Sequence, residues 1–298
     1  MFKIGTIDKK PGIYYDVPYQ EYYEWNAVHK SLFSHIMRSG LQLLHHIEHG
    51  EKESDFMRFG NLVDTILFEP HLLELRYIMI PDTYPTVVKK EEIDKPWNWN
   101  ANYCIDWRKT IPHGITPISK DEHLRAKTIS TKIIQHPEAS AWLDGAQVQV
   151  SIVWVDPETE LVCKGRMDAY RDMERIIDLK ITGNASPWAF SKKGYEFGYH
   201  TQGAFYHDGL LLSSGKTLEA GQVLPFSYIV AEDKQPHDVV TYNLAQESFE
   251  AGRASYREAL DRFKSYVEND DFQGYSNVAE DFEIPAWALK KYQFEGIL

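Results

Sequence analysis

Cysteine is scarce in this chain of 298 residues, which contains two, Cys104 and Cys163. Neither belongs to a Cys-x-x-Cys pair, so the sequence excludes a disulfide framework and a four-cysteine zinc or iron–sulfur site within the chain. Long apolar runs are missing too, because none reaches the roughly 20 residues that a membrane helix needs. The N-terminal residues lack the apolar stretch of a signal peptide. We therefore expect a cytoplasmic protein with no membrane partner.

Internal repeats, low-complexity tracts and linkers rich in proline, glycine or serine are also missing. A single domain is the expected organisation, and the length suffices for a large apolar core. The sequence shows no glycine-rich phosphate loop and no Gly-x-Ser-x-Gly nucleophile elbow. Small-molecule enzymes that depend on these motifs are thereby disfavoured.

Positive charge is in deficit, with 32 Lys and Arg against 44 Asp and Glu and a formal net charge of −12. Binding of a polyanion normally uses a basic surface, so this balance lowers the expectation of a nucleic-acid partner. It does not exclude one, because acidic residues can hold divalent cations that present positive charge locally.

Apolar periodicity is present and predicts helices, then a sheet, then further helices. Helices are predicted at residues 32–49, 54–68, 119–136, 187–212 with breaks at Gly194 and Gly198, and 249–267. Strands are predicted at residues 147–155, 161–170, 174–181, 224–231 and 238–244. Residues 82–118 hold prolines and tryptophans without clear periodicity, and we predict loops there.

These elements predict an α/β fold in one domain that spans residues 1–298. Its expected parts are an N-terminal wrap over the core (1–30), a helical and loop region (31–146), a sheet with a following helix (147–244), and a C-terminal helix and tail (245–298).

The most informative segment joins Asp168, through a predicted hairpin, to Asp178-Leu179-Lys180. Positions i and i+2 of a strand point to the same face, so Asp178 and Lys180 project together, and Asp168 can approach Asp178 across the ladder. Converging carboxylates repel each other, and a hard divalent cation relieves that repulsion. Lys180 can then orient or activate a metal-bound water and offset charge that develops on a phosphate. By itself the tripeptide is common, and an ordinary Asp–Lys pair on a solvated strand face is the alternative.

Three further residues have a functional and a structural interpretation. Asp64 lies alone in an apolar helix, where a carboxylate is costly unless it binds metal or pairs with an arginine. Gln202 and Tyr206, at i and i+4 of a helix, can both reach one substrate phosphate or water. Alternatively, Tyr206 packs in the core and Gln202 lines a polar edge.

The order of these motifs resembles that of the RecE-type exonucleases (exodeoxyribonuclease VIII) and their phage relatives in the PD-(D/E)xK nuclease superfamily. The resemblance rests on a strand ending in Asp168, the strand Ile176–Thr182 and the helix with Gln202-x-x-x-Tyr206. It extends to Gly60 through Pro70, to Phe226–Glu232 and to Ile284-Pro-Ala-Trp287, and so covers about residues 30–290.

This resemblance implies a PD-(D/E)xK core, a central mixed β-sheet flanked by helices. It implies a Mg²⁺-dependent exodeoxyribonuclease, with Mn²⁺ as an alternative, and one or two ions held by Asp64, Asp168, Asp178 and the Leu179 carbonyl. The implied catalytic residues are Asp168, Asp178, Lys180, Gln202 and Tyr206. The chain would digest linear double-stranded DNA processively from 5′ ends, leaving 3′ single strands for recombination by an annealing protein of the RecT or beta type. A ring-shaped homo-oligomer is implied as well.

The sequence departs from the family at two positions. Asp64 stands where relatives usually have His, and Asp suits Mg²⁺ or Mn²⁺ at least as well. Gln149 stands where relatives often have Glu, and it brings no charge. Two alternatives therefore stay open: a single-strand or flap nuclease of the same fold, and a catalytically weakened DNA-binding protein.

Other side chains carry weaker signals. Five basic residues near the motifs can contact the DNA backbone or be ordinary surface residues: Arg58, Lys164, Arg166, Lys192 and Lys193. His45 and His49 have the spacing of a metal pair but lack a third ligand nearby, which favours a solvated helix face. Trp97, Trp99 and Trp107 could stack on bases, although packing within a loop is the preferred interpretation.

Overall fold

The computed structural model describes residues 9–218 and 223–294. Its strands are β1 (Gly12–Tyr14), β2 (Tyr77–Met79), β3 (Thr83–Val88), β4 (Glu91–Pro96), β5 (Thr116–Ile118), β6 (Gln147–Val155), β7 (Val162–Arg171), β8 (Arg175–Thr182), β9 (Phe226–Glu232) and β10 (Val239–Asn243). Its α-helices are α1 (Tyr19–Glu24), α2 (Phe33–Arg38), α3 (Gly40–His49), α4 (Asp55–Phe68), α5 (Leu73–Arg76), α6 (Asn102–Thr110), α7 (Lys120–Gln135), α8 (Pro137–Leu143), α9 (Pro187–Glu196), α10 (Tyr199–Ser214), α11 (Gln246–Asn269) and α12 (Ala286–Phe294).

The centre of the fold is a six-stranded sheet in the order β1-β6-β7-β8-β9-β10. Strands β8 and β9 run parallel, and the other neighbouring strands run antiparallel. The sheet is therefore mixed, and helices flank it, which confirms the predicted α/β class. No helix in the described part of the chain is long and apolar enough to cross a membrane.

Two apolar layers cover the two faces of this sheet. On β8, Ile176 belongs to the cluster formed with α2, α10 and α11, whereas Ile177 and Leu179 belong to the cluster formed with α4, α7 and α8. Side chains alternate between faces along a strand, so a strand buried on both sides is apolar almost throughout. The polar residues Asp178 and Lys180 interrupt this pattern on one face only, as the sequence predicted.

Most helix and strand limits follow local signals in the sequence. The side chain of Ser54 caps α4, and Ser119 and Glu122 form a reciprocal capping box at the start of α7. Pro187 occupies the first turn of α9. The break before α10 falls at Gly198, whose φ is 65°, and not at Gly194, since a left-handed residue ends a helix.

The prediction of loops over residues 82–118 was wrong. This region forms a hairpin of β3 and β4, the helix α6 and the short strand β5, which pairs with β2. Every residue of β4 is exposed, so no apolar alternation marks it as a strand. Trp97 packs edge-to-face on Trp99 and on Trp107, with ring centroids 5.5 and 5.0 Å apart. The packing interpretation of these tryptophans fits this small cluster.

The N-terminal segment does more than wrap over the core. Strand β1 extends the sheet beyond β6. Further along, the Val28 carbonyl accepts a hydrogen bond of 2.8 Å from the Lys164 amide, and the Val28 amide donates one of 2.9 Å to Val162. Val28 therefore lies against β7 as a neighbouring strand would.

An opening between β7 and β8 positions the polar residues. The two strands pair only from Ala169 opposite Ile177 to Arg171 opposite Arg175. Asp168 and Asp178 would be the next pair in this register, and there the ladder ends. Beyond it β7 stays with β6 and Val28, while β8 stays with β9.

Candidate active site

Asp168 and Asp178 lie side by side where the β7–β8 ladder ends. The Leu179 backbone amide donates a 2.7 Å hydrogen bond to Asp168 Oδ2. The Gln202 side-chain amide donates a 2.6 Å hydrogen bond to Asp178 Oδ1. Asp178 is 2% exposed. Since strand and helix donors hold both carboxylates, their positions are fixed by the main elements of the fold and not by a loop.

Lys180 supplies the positive charge at this place. Its ammonium forms an ion pair with Asp178 and lies 4.9 Å from the centroid of the Tyr199 ring. Burial disfavours the charged ammonium, but the Asp178 and Asp168 carboxylates together outweigh burial and raise the pKa of Lys180. Lys180 is therefore a permanent cation and hydrogen-bond donor here, and not a proton acceptor.

Asp64 reaches the same place from α4. The Gln149 amide donates to both of its oxygens, at 2.9 and 3.1 Å, and Gln149 Oε1 accepts a 2.7 Å hydrogen bond from Arg166 Nε. The partner of Asp64 is thus Gln149 and not an arginine, because Arg76 forms its ion pair with Glu69. The Gln149 side-chain carbonyl is thus engaged by Arg166.

The backbone of Gln149 is unusual. Its φ is 52°, in the left-handed region, and it has no ladder partner although its neighbours Val148 and Val150 pair with Ala169 and Met167. A non-glycine residue in this conformation is strained and persists where its surroundings hold it. Here the three side-chain hydrogen bonds of Gln149 hold it beside Asp64 and Arg166.

The three carboxylates lie close enough to repel one another and so to affect one another's pKa. Burial, then Glu69, raises the pKa of Asp64 to about 7, with a further contribution from Asp178. Burial, then Asp178 and Asp64, raises the pKa of Asp168 well above its usual value. Three acidic groups therefore share one poorly solvated place with Lys180 as the paired cation, and this excess of negative charge favours binding of a cation.

The donor set fits a hard divalent cation. Asp64, Asp168 and Asp178 offer carboxylate oxygens, which Mg²⁺ and Mn²⁺ prefer. Asp178 Oδ2 is buried, and the Lys180 ammonium pairs with it. In a strand the carbonyl of a residue points to the same edge as its amide. The Leu179 amide points to Asp168, so the Leu179 carbonyl faces the carboxylates too.

The surroundings of Tyr206 fit the packing interpretation, and its contact with substrate stays a prediction. Its ring packs against the core beside Gly165 of β7, where a Cβ would lie 2.9 Å from Tyr206 Cε1. Burial, then Asp178 and Asp168, raises the pKa of the Tyr206 phenol, so it remains protonated beside the carboxylates. The Gln202 side chain and the Arg166 backbone form hydrogen bonds with the same hydroxyl, which partly offset the rise in its pKa.

Two residues of the site carry no signal in the sequence. Gly165 is one, because only the structure shows that its missing side chain makes room for Tyr206. The other is Lys30, whose Nζ donates a 2.5 Å hydrogen bond to the Phe197 carbonyl. Burial, then the positive charge of Lys180, lowers the pKa of Lys30 to about 8. It lies far from β8 in sequence, so no motif links the two lysines.

The five basic residues predicted to bind DNA have different surroundings. Arg166 donates to Gln149 and to the Val17 carbonyl, and Lys193 lies 3.3 Å from Thr182 Oγ1 at the end of β8. Lys192 is exposed and 3.9 Å from Glu196. Arg58 forms an ion pair with Glu122, and the buried Lys164 donates to backbone carbonyls, of which that of Trp25 is 2.6 Å away. Their contact with DNA stays a prediction.

His45 and His49 of α3 lie on a solvated helix face, as predicted. Both are exposed, with ring centroids 4.5 Å apart. A different group in the described part of the chain has metal-ligand spacing: His35, His46 and Glu51, whose ligand atoms lie within 4.8 Å of one another. It shares no residue with the carboxylate centre.

Comparisons with known proteins concern the family and the fold of the chain. Residues 30–283 match the sequence model of DUF3799, described as a PDDEXK-like domain of unknown function. No protein of curated function matches the chain. A crystal structure of a predicted exonuclease from Eubacterium rectale is similar in fold, with a TM-score of 0.60 and 14% sequence identity over 92% of this chain and 98% of that chain. At this identity the likeness concerns the fold alone.

Proposed function

The chain belongs to the PDDEXK-like family DUF3799, and from this premise we propose that it is a metal-dependent DNA exonuclease. The observation that carries the proposal is the convergence of Asp168, Asp178 and Lys180 at the end of the β7–β8 ladder. Each of the three residue types has a place in phosphodiester hydrolysis, and their order in the sequence resembles the motif of the PD-(D/E)xK superfamily.

One or two Mg²⁺ ions, or Mn²⁺, would be held by Asp64, Asp168, Asp178 and the Leu179 carbonyl. Such an ion would lower the pKa of a bound water and neutralise negative charge on the phosphate. The chain's part is to hold the ligands. Gln202 fixes Asp178, the Leu179 amide fixes Asp168, and Gln149 fixes Asp64.

In the reaction, a water oxygen bonds to phosphorus while the bond to the leaving nucleotide oxygen breaks, and one water proton finally resides on that leaving oxygen. Lys180 remains charged and donates a hydrogen bond to the attacking water or to a phosphoryl oxygen, where negative charge develops. Tyr206 remains a neutral phenol and can donate to the same phosphate. Arg166, beside Gln149, balances part of the acidic charge.

The finer assignment rests on the resemblance to RecE-type enzymes. We propose processive 5′→3′ digestion of linear double-stranded DNA, which leaves 3′ single strands for recombination. The corresponding partners are duplex DNA ends, an annealing protein of the RecT or beta type, and further copies of this chain in a ring.

Digestion of end-labelled DNA tests the proposal. The purified protein and its Asp178→Ala variant are incubated with linear and closed circular duplexes, in Mg²⁺ or in EDTA. We expect the wild-type protein to degrade linear DNA in Mg²⁺ only and the variant to lose at least about 100-fold in rate, because an electrostatic contribution of this kind is worth about that much. Labels at the 5′ or the 3′ end give the polarity.

Other outcomes select other functions. Cleavage of closed circles would make the protein an endonuclease, and preference for single strands or flaps would select that class of nuclease. Binding of DNA without degradation in any divalent cation would contradict an enzyme and favour a DNA-binding protein on the nuclease scaffold.

A further inference from the structure

Aromatic rings and a second lysine continue outward from Lys180. Its ammonium lies over Tyr199, and the Tyr199 ring stacks on Phe197 with centroids 6.1 Å apart and an interplanar angle of 20°. The Lys193 ammonium lies 5.8 Å from the centroid of Phe197 and 4.7 Å from that of Phe56. A path of rings thus leads from the carboxylate centre to two phenyl groups that lie near one cation.

These two phenyl groups are exposed. Phe197 is at the end of α9 and 56% exposed, and Phe56 is in the first turn of α4 and 41% exposed. Lys193 is held beside both rings by its contact with Thr182 Oγ1, 3.3 Å away. Two exposed rings beside a fixed ammonium suit a ligand with both a flat apolar face and a negative charge.

Helix α4 connects this place with the carboxylates. Phe56, Gly60 and Asp64 are spaced by four residues and therefore lie on one face of the helix. No heavy atom lies within 4 Å of where a Gly60 side chain would begin, so the face is open between the ring and the carboxylate. Eight helical residues span about 12 Å, which corresponds to three to four nucleotide steps of about 3.4 Å in one DNA strand.

We propose that Phe56 and Phe197 form a base clamp that stacks on an unpaired base of the DNA strand whose phosphate lies at the carboxylate centre. Lys193, beside both rings, contacts a phosphate of the same strand. Aromatic rings interleaved with a basic residue are how proteins hold single-stranded DNA without sequence preference. This inference rests on the proposed nuclease function and adds to it that the enzyme holds unpaired bases near the site of hydrolysis.

Binding measurements without cleavage test the base clamp. The probe is a short duplex with a four-nucleotide unpaired end that carries 2-aminopurine. Ca²⁺ replaces Mg²⁺, and recovered DNA is checked for integrity. We expect Phe56→Ala and Phe197→Ala each to weaken binding about tenfold and to reduce quenching of 2-aminopurine. Phe197→Tyr should bind as the wild type does, whereas Phe197→Leu should not, since stacking requires a ring.

Two controls make the result specific. Phe282→Ala removes a phenyl group that is 91% exposed in another part of the chain and should leave binding unchanged. A probe with abasic nucleotides at its unpaired end should bind the wild type and the two clamp variants equally. Equal loss on both probes, or no loss on either, would overturn the base clamp while leaving the nuclease proposal intact. A wild-type protein that binds neither probe would overturn both.

Discussion

Gly165 leaves the space that the Tyr206 ring occupies. Tyr206 lies beside two carboxylates that raise the pKa of its phenol, and it can lie there because β7 has no side chain at Gly165. A Cβ at this position would lie 2.9 and 3.0 Å from two carbons of the ring and 3.3 Å from Ile152. The glycine therefore supports the site although it offers no chemical group.

Gly165→Ala should displace the Tyr206 ring and lower nuclease activity at least about tenfold, while overpacking costs about 1–3 kcal/mol of unfolding free energy. The rate of digestion and the denaturant midpoint measure the two effects. Gly12→Ala is the matched strand control, since its nearest contact would be 3.8 Å away. Unchanged digestion by Gly165→Ala would show that Tyr206 has no part in the reaction.

Asp64 links stability to pH and to metal. Its pKa is about 7 in the folded chain and about 3.9 in an unfolded one, so between these values the folded state binds a proton that the unfolded state lacks. The stabilisation from this protonated carboxyl is complete below about pH 4 and is lost as the pH rises to about 7. We expect the Tm of the metal-free protein to fall from about pH 5 to about pH 8, and Mg²⁺ to restore more of it at the higher pH.

Asp64→Asn is the control for this dependence, since it carries no titrating proton at the site. Scanning fluorimetry with EDTA and with Mg²⁺ should give a flatter pH dependence and a smaller effect of Mg²⁺ in this variant. An equal Mg²⁺ shift in both proteins would remove Asp64 from the set of ligands.

Among individual residues, most charged members of the site can be predicted from the sequence, whereas the others cannot. Asp168, Asp178 and Lys180 have a motif, and Asp64 is conspicuous among apolar neighbours. Lys30 and Gly165 have neither signal, because their roles depend on contacts between distant segments. The hydrogen bond from Gln149 to Asp64 is hidden for the same reason.

Among the elements, five of the six strands of the sheet were predicted from the sequence, β1 being missed, but the opening between β7 and β8 was not. Asp168 and Asp178 are in register to pair, and the sequence predicts that they meet. That the strands part there depends on Val28, which lies along β7, and on the parallel strand β9 beside β8. Periodicity describes one strand at a time, and so it does not predict where a ladder ends.

The packing of α10 on α11 sets the position of Gln202. A Cβ on Gly252 of α11 would lie 2.2 Å from the His200 carbonyl oxygen, one helical turn or less from Gln202. Helix propensity alone predicts that Gly252→Ala stabilises by about 1 kcal/mol. The close contact with His200 predicts instead that Gly252→Ala lowers the free energy of unfolding by about 1–3 kcal/mol or more. It also predicts lower activity, because Gln202 would shift away from Asp178.

Gly60→Ala of α4 is the matched control for stability, because its Cβ would meet no atom within 4 Å. It should gain about 1 kcal/mol in chemical denaturation. If Gly252→Ala is stabilised by the same amount, the helices are not in the close contact described and Gln202 is not positioned by it.

At the scale of the molecule, charge and function are in tension. The chain carries a net charge of −12, and the proposed centre concentrates three carboxylates where a DNA phosphate must approach. The basic residues that were predicted to face DNA do not balance this, since Lys164 and Arg58 are engaged within the chain. Lys180 and Arg166 offset only part of this negative charge. Cations held by the carboxylates would supply the rest of the positive charge, so metal should govern binding as well as catalysis.

We therefore expect the affinity for linear duplex DNA to rise at least about tenfold when Ca²⁺ replaces EDTA, at fixed ionic strength so that screening is unchanged. An Asp64→Asn/Asp178→Asn variant loses two negative charges without a change in side-chain size. It should bind DNA in EDTA more tightly than the wild type does and respond little to Ca²⁺. Fluorescence anisotropy measures both. If the wild type binds equally well with and without the divalent ion, then surface basic residues suffice, and the acidic centre is not where the phosphate lies.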